Sequence, residues 1–265
     1  MVTRVRRTGE REVTVTFKFP INATARAMVD SQIALLRDCV VPIVGATARL
    51  QPYVVGSAVL LDYFGTKCLV TAEHVMSDHG QEPLFLFGAD GLSRPLHGQF
   101  EVDEDADLAV KLLSDEERNW LSHRPFLPAS SLDRVAPPGE RFYATVVGYP
   151  ASAARRLDKM TLDTRMEAYS NFAAETADGR VEVLFDKKEG VRGERGDVQA
   201  RDQYGKSGGA IFGIALSSSF GLPVPPAKLV GIATRWKRVR NQICGSGCSS
   251  LVPLLDALMK AVHSE

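Results

Sequence analysis

The segment Gly205-Lys206-Ser207-Gly208-Gly209 places a serine inside a glycine-rich turn, and the apolar run Ala210-Ile211-Phe212 follows it directly. A short apolar run bounded by glycines predicts a β-strand. Glycines also allow backbone N–H groups to converge on one point, where the negative oxygen of a tetrahedral intermediate can be stabilised. Because such a turn can equally be structural, a catalytic serine requires partners elsewhere in the chain.

Two upstream segments carry suitable partners for this serine. Leu69–His74 ends a predicted strand with a histidine, and Asp107–Val110 opens another with an aspartate, beside Asp105 as a second possible acid. Histidine can take the proton of a serine hydroxyl near neutral pH, and a carboxylate on its other nitrogen fixes the tautomer. The order His, Asp, Ser argues against an α/β-hydrolase, whose serine comes first and lies in a G-x-S-x-G elbow.

The composition excludes several other classes of protein. The chain has 265 residues with 32 basic and 32 acidic side chains, so neither a nucleic acid nor a membrane surface is expected as a partner. We expect a cytoplasmic protein, because no signal peptide and no apolar stretch of membrane-spanning length is present. The four cysteines lack zinc-site spacing, which predicts buried or idle thiols, no metal and no cofactor. They are Cys39, Cys68, Cys244 and Cys248.

Apolar periodicity predicts a mainly β chain with a helix near each end. The N-terminal part alternates as a strand over 11–19 and then as a helix over 23–37, and a second amphipathic helix covers Ser249–Val262. The predicted units are an N-terminal extension (1–39), a first β lobe with His74 and Asp107 (40–125), a proline-rich linker (126–140) and a second β lobe with Ser207 and the terminal helix (141–265). The predicted strands are Val40–Val44, Val54–Leu61, Cys68–Thr71, Leu84–Phe87, Leu108–Leu113, Phe142–Val147, Val181–Phe185, Ala210–Ile214 and Leu229–Thr234.

Taken together, the blocks Thr71–His74, Asp107–Val110 and Gly205–Gly209 resemble the three signature blocks of the trypsin/chymotrypsin-like serine peptidases. Two flanking segments agree with this resemblance, Gly56–Leu60 before the histidine and Leu229–Ala233 after the serine. The similarity extends over about residues 40–260 and looks closer to the bacterial HtrA-like branch than to the secreted digestive enzymes. It implies an all-β fold of two six-stranded antiparallel barrels with the catalytic site in the cleft between them.

The resemblance also implies a role for each site residue. His74 is the general base and later the general acid, Asp107 orients it, and Ser207 is the nucleophile. The backbone N–H groups of Gly205 and Ser207 form the oxyanion hole.

The implied substrate site is less specific. Arg201 occupies the position of the floor of the specificity pocket, where it either favours an acidic residue or simply points to solvent. Thr234, Arg235 and Trp236 line a wall and pair with the substrate as an added strand. Lys206 stands where the secreted enzymes have an aspartate that pairs with a newly cut N-terminus, so we predict no activation by N-terminal cleavage.

The sequence therefore predicts a serine endopeptidase that acts on a protein or peptide. Its activity is expected to be restricted by a narrow substrate range or by an activating partner protein. Two alternatives stay open: a catalytically latent relative that serves as a binding or regulatory module, and acyl transfer on a non-peptide ester.

Overall fold

The structure is a computed structural model that describes residues 2–4, 14–16, 23–79, 82–88, 90–157, 161–185, 190–193, 196–199, 204–215 and 226–262. At its N-terminal end, strand β1 (Val2–Arg4) pairs with β2 (Thr14–Thr16) in antiparallel register. The remainder of the strand predicted over 11–19 lies outside the described residues. Helix α1 (Ala23–Leu36) confirms the predicted helix and continues into a 3₁₀ turn over Arg37–Cys39.

The first lobe follows α1 and is a mainly antiparallel sheet. Its elements are β3 (Val40–Ala46), β4 (Pro52–Tyr63), β5 (Thr66–Thr71), α2 (Glu73–Ser77), β6 (Leu84–Phe87), β7 (Ser93–Pro95), β8 (Glu101–Asp103), β9 (Leu108–Leu112), α3 (Asp115–Trp120) and β10 (Leu127–Pro128). The strand order is β7-β6-β3-β4-β5-β9-β8, and β10 adds to β4 in parallel. In this order β5, which precedes His74, lies next to β9, which follows Asp107.

The second lobe contains a closed barrel. Its elements are β11 (Arg141–Gly148), β12 (Arg155–Arg156), β13 (Leu162–Asp163), β14 (Glu167–Glu175), β15 (Arg180–Leu184), β16 (Gly190–Gly193), β17 (Gly196–Gln199), β18 (Ala210–Ile214), β19 (Lys228–Lys237), β20 (Gln242–Gly247) and α4 (Cys248–Val262). Strands β11, β18, β19, β20, β15 and β14 pair in that order, and a further pairing of β14 with β11 closes the ring. Six antiparallel strands thus enclose one core.

Strands β4 and β18 are apolar on both faces because each face meets a different core. Alternate residues of a strand point to opposite sides. In β18, Ile211 packs inside the barrel, whereas Ala210 and Phe212 join a cluster between the lobes. In β4, Leu60 belongs to the interior of the first lobe and Leu61 to the same cluster between the lobes.

Both long helices pack onto this cluster between the lobes. Ile33 of α1 and Leu255 of α4 are among its buried members. The hydroxyl of Tyr63 donates to Asp256 of α4 at 2.7 Å, which ties the terminal helix to the first lobe. None of the described helices is long and apolar enough to cross a membrane.

The predicted all-β, chymotrypsin-like architecture is confirmed by this arrangement of two sheets, a closed six-stranded barrel and a terminal helix. Hydrogen bonding closes the ring in the second lobe, whereas the described pairings of the first lobe form an open series of strands. Several elements were not predicted, among them α3, β14 and β20. Helix α3 begins with a capping box between Ser114 and Glu117.

Candidate active site

His74 and Asp107 are brought together by two neighbouring strands. Strand β5 ends at Thr71, and His74 lies in the first turn of α2 just beyond it. Asp107 immediately precedes β9, whose Ala109 pairs with Thr71. His74 Nδ1 lies 2.8 Å from Asp107 Oδ1 and 3.0 Å from Oδ2, and the His74 backbone N–H also donates to Oδ1 at 3.1 Å. Because Nδ1 faces the carboxylate, Nε2 is left as the ring nitrogen that can exchange a proton with another group.

Asp107 is held in place by its own turn and by the second lobe. Its φ of +55° is a left-handed conformation, which aspartate tolerates better than most residues. The Asp107 N–H donates to Glu104 O at 3.2 Å, and the hydroxyl of Ser246 on β20 donates to the carbonyl of Ala106. Asp105, the rival acid, is exposed.

The carboxyl group of Asp107 has a lowered pKa in the folded protein. Burial acts to raise the pKa of its carboxyl group, but the hydrogen bonds from the ring and backbone of His74 and the charge of Arg235 outweigh that effect, so the pKa lies below its usual value. Arg235 Nε lies 3.5 Å from Asp107 Oδ2, although the arginine side chain is 69% exposed. A carboxylate that stays ionised can fix the imidazole tautomer and stabilise the imidazolium ion.

The serine turn joins the same region through β4. The Ser57 N–H donates to Ser207 O at 2.7 Å, and the hydroxyl of Thr71 donates to Ser57 O at 2.7 Å. Gly208 has a φ of +81°, and a Cβ atom at this position would lie 1.9 Å from Ser57 O. The close approach between the turn and β4 therefore requires glycine.

The Ser207 hydroxyl donates its hydrogen bond to Thr234 O, at 3.0 Å. Among the described residues, no hydrogen bond joins Ser207 Oγ to His74. The structure thus brings the histidine and aspartate into direct contact and places the serine turn beside them, with the hydroxyl proton engaged by the carbonyl of β19.

The peptide group between Tyr204 and Gly205 is anchored by its carbonyl. Tyr204 O accepts a hydrogen bond from the Ala151 N–H at 2.8 Å. In a trans peptide the N–H points opposite to the C=O, so the Gly205 N–H is directed away from Ala151. The next carbonyl, Gly205 O, accepts from the buried Ser57 hydroxyl at 3.0 Å.

The peptide group that precedes Ser207 is anchored in the same manner. Lys206 O accepts from the Gly209 N–H at 2.9 Å, which directs the Ser207 N–H the other way. Within the described part of the chain, the N–H groups of Gly205 and Ser207 have no acceptor. Two N–H groups without an internal acceptor, on either side of Lys206, are what an oxyanion site requires.

The predicted substrate wall coincides with a strand edge that no described strand covers. Strand β18 pairs with β19 only as far as Ile232, whereas β20 follows β19 to Lys237 on the other side. Beyond Ala233, one edge of β19 thus has no partner strand among the described residues, and it includes Thr234 and Arg235. An extended peptide can add to such an edge.

The residues of that wall differ in exposure. Thr234 is buried and presents its carbonyl to Ser207, and Arg235 is exposed. Trp236 packs edge-on against Phe185 with ring centroids 5.5 Å apart, and the Arg238 guanidinium lies 4.9 Å from the Trp236 ring. The predicted pocket residue Arg201 lies outside the described residues.

Sequence reasoning missed two residues of this region. Ser57 stands in a segment quoted only as a flanking strand, and its hydroxyl accepts from the Tyr149 N–H at 2.9 Å while donating to the serine turn. Glu167 lies on the unpredicted strand β14 and forms a buried ion pair with Lys206. A serine next to a glycine in an otherwise apolar strand was the available signal for Ser57, but no local signal marks Glu167.

All four cysteines are free and buried, in agreement with the predicted buried or idle thiols. Among the described residues, no group of three or more histidine, cysteine, aspartate or glutamate side chains could hold a metal ion. The absence of a cofactor stays a prediction.

No protein-family model matches the chain, and no curated protein matches it. Among solved structures, the HtrA-type protease AlgW with a tripeptide is similar with a TM-score of 0.49 and 14% identity, covering 88% of this chain and 64% of that one. The MamO protease domain from Magnetospirillum magneticum, in its apo form, is similar with a TM-score of 0.45 and 14% identity, covering 82% of this chain and 96% of that one. The present chain therefore spans less than two thirds of the AlgW chain.

The strand order described above defines the class of fold. Two antiparallel β lobes, the second a closed six-stranded barrel, contribute polar residues to one site, and a terminal helix packs across both. This is the fold of the trypsin-like serine peptidases.

Proposed function

We propose that this chain is a serine endopeptidase that cleaves peptide bonds through an acyl-enzyme intermediate. The observation that carries the proposal is the contact of His74 Nδ1 with Asp107, at 2.8 Å, beside a serine turn that is hydrogen-bonded to the same lobe. A carboxylate paired with the imidazole, and a serine next to two N–H groups that have no acceptor among the described residues, are the groups that acyl transfer requires, which supports the proposal.

In the proposed reaction, Ser207 Oγ attacks the carbonyl carbon of the scissile bond and its proton passes to His74 Nε2. The negative oxygen of the tetrahedral intermediate accepts hydrogen bonds from the Gly205 and Ser207 N–H groups. When the C–N bond breaks, His74 gives the proton to the leaving amine. A water molecule then repeats the sequence on the acyl ester, and Asp107 stabilises the imidazolium ion in both halves.

Substrate binding is coupled to release of the nucleophile in this scheme. The Ser207 hydroxyl donates a hydrogen bond to the Thr234 carbonyl oxygen at 3.0 Å. A peptide that adds to the free edge of β19 brings an N–H donor to that edge, which can replace the hydroxyl as the donor to Thr234. The hydroxyl is then free to turn to His74.

The unpaired edge of β19 also favours a peptide over a small ester as the substrate. An edge of several residues offers repeated backbone hydrogen bonds, which an extended peptide can satisfy and a small ester cannot. Arg235 lies on this edge and is exposed, so it is placed to contact a substrate side chain.

One observation favours the alternative of a latent binding module, namely that the Ser207 hydroxyl donates to Thr234 and not to His74. The peptidase and the latent-module hypotheses are tested with one experiment. The purified protein and Ser207→Ala are each exposed to a fluorescent fluorophosphonate, and the labelled residue is located by peptide mapping. The peptidase proposal expects labelling of the wild type at Ser207 and none of the variant. A wild-type protein that takes up no label would refute it and favour the latent module.

A further inference from the structure

The residue directly before the proposed nucleophile is a lysine buried inside the protein. The Lys206 side chain is 2% exposed and its Nζ lies 3.4 Å from Oε2 of Glu167, whose side chain is 4% exposed. Lysine and glutamate are almost never buried to this extent unless they are paired. The pair is therefore a specific feature of this site and not a solvated surface contact.

The pair is located by the register of the barrel. Glu167 opens β14 and pairs with Gly148 at the end of β11. A Cβ atom at Gly148 would lie 3.1 Å from the Lys206 Cα, so the backbone of the serine turn packs directly on this strand end. Lys206 and Glu167 therefore pair where the serine turn packs against the end of β11.

Such a pair costs stability. Removing two charges from water is expensive, and apolar residues of similar size would fill the same volume at lower cost. Burial lowers the pKa of Lys206 to about 8, while the neighbouring Glu167 carboxylate acts in the opposite direction. Because a buried pair is a poor source of stability, its position beside the nucleophile suggests a role in positioning the turn.

The backbone on both sides of Lys206 is held together with its side chain. The carbonyls on both sides of its Cα accept internal hydrogen bonds: Gly205 O from the Ser57 hydroxyl and Lys206 O from the Gly209 N–H. With the side chain buried against Glu167 and both carbonyls engaged, rotation of either peptide group would break an internal hydrogen bond. The N–H groups of Gly205 and Ser207 are then left for an external acceptor.

We propose that Lys206 is a positioning residue whose buried ion pair with Glu167 holds the oxyanion turn in its competent conformation. The inference rests on the proposed peptidase function and deepens it. In the secreted enzymes that the chain resembles, a carboxylate at this position pairs with a newly cut N-terminus. In this chain a lysine stands at that position, and its partner is the Glu167 side chain and not an N-terminus. The turn is therefore held without any cleavage of the chain.

The test compares rate constants of fluorophosphonate labelling, normalised to the folded fraction measured by circular dichroism. The variants are Lys206→Met, Glu167→Gln and the charge-swapped pair Lys206→Glu/Glu167→Lys. The matched control is Lys111→Met, which breaks a second buried pair, between Lys111 Nζ and Glu117 Oε2 at 2.7 Å, with both side chains 5% exposed. This control lowers stability through the same kind of unpaired charge without touching the serine turn.

We expect both single variants to label about 10- to 100-fold more slowly per folded molecule, since loss of one oxyanion donor costs about 10²–10³-fold in rate. The charge swap should recover most of that loss, and Lys111→Met should label at the wild-type rate. With a peptide substrate, the loss should fall on kcat and leave KM nearly unchanged.

Labelling of Lys206→Met and Glu167→Gln at the wild-type rate would overturn this inference while leaving the peptidase proposal intact. Slow labelling of Lys111→Met to the same degree would also overturn it, because the effect would then follow stability alone. If Lys206→Met does not fold, Glu167→Gln and the charge swap decide the question by the same measurement. A wild-type protein without label would overturn both proposals.

Discussion

Replacement of Ser57 by alanine removes the two buried hydrogen bonds that its hydroxyl makes among the described residues. The Ser57 side chain donates to Gly205 O at 3.0 Å and accepts from the Tyr149 N–H at 2.9 Å, and the residue is completely buried. Its backbone bond to the Ser207 carbonyl persists in the variant. Ser57→Ala therefore isolates the contribution of one hydroxyl that connects β4, the end of β11 and the proposed oxyanion turn.

The magnitude follows from the two groups that lose their partner. A buried N–H or C=O left without a hydrogen bond costs about 1–3 kcal/mol. Two such groups, Tyr149 N–H and Gly205 C=O, predict a loss of about 2–6 kcal/mol in the free energy of unfolding. For a urea m-value of about 2–3 kcal/mol/M, the midpoint should fall by about 1–3 M. The labelling rate should fall as well, because the Gly205 carbonyl is no longer anchored.

The measurement is urea unfolding followed by circular dichroism, together with fluorophosphonate labelling of the folded variant. Ser122→Ala serves as the matched control, since this exposed hydroxyl donates to Asn119 O at 2.8 Å and its loss should cost no more than about 0.5 kcal/mol. A Ser57→Ala protein with the stability and labelling rate of Ser122→Ala would refute the reasoning. It would mean that the hydroxyl neither satisfies the two backbone groups nor holds the turn.

Three further predictions concern the acid, the thiols and the restriction of activity. Asp107→Asn should keep its secondary structure but label about 10⁴-fold more slowly, the loss typical of a triad with the wrong tautomer, and a rate near that of the wild type would contradict the proposed role of Asp107. Because its pKa lies below the ordinary 3.8, Asp107 stabilises the fold above that pH and the contribution disappears as the pH falls through the folded pKa. Asp107→Asn should therefore lose less stability than the wild type in urea titrations as the pH is lowered from about 5 to about 2, and parallel losses would count against this assignment. Burial raises the pKa of Cys39 and of Cys248 to about 12 and that of Cys68 to about 11, so Ellman's reagent at pH 8 should react slowly with native protein and rapidly with all four thiols in urea. If activity is restricted by a narrow substrate range or a partner, the isolated protein should leave casein intact over hours in a gel assay, and free degradation would contradict the restriction.

Local pattern alone predicted the strands whose apolar residues are continuous or alternate cleanly. Strand β18 and helix α4 are recognisable because their buried residues are aliphatic or aromatic and follow the expected period. Strand β14 was missed because its buried positions include Glu167 and Glu175 as well as Tyr169, so its alternation does not register as apolar. Each of those carboxylates is buried against a basic partner from a distant part of the chain, Lys206 or Arg134.

Local sequence patterns were enough to propose the candidate residues, because histidine, aspartate and a glycine-flanked serine each have a recognisable pattern near the end of a strand. These patterns could not show that the Ser207 hydroxyl donates to Thr234, or that Lys206 forms a buried ion pair with Glu167. Those contacts join residues far apart in the chain. They depend on how the two sheets pack and on the register of their strands. The residue pattern within one segment contains no information about either. Only the tertiary structure shows that Lys206 is buried and forms an internal ion pair with Glu167, because the partner lies on a strand 39 residues away in the chain.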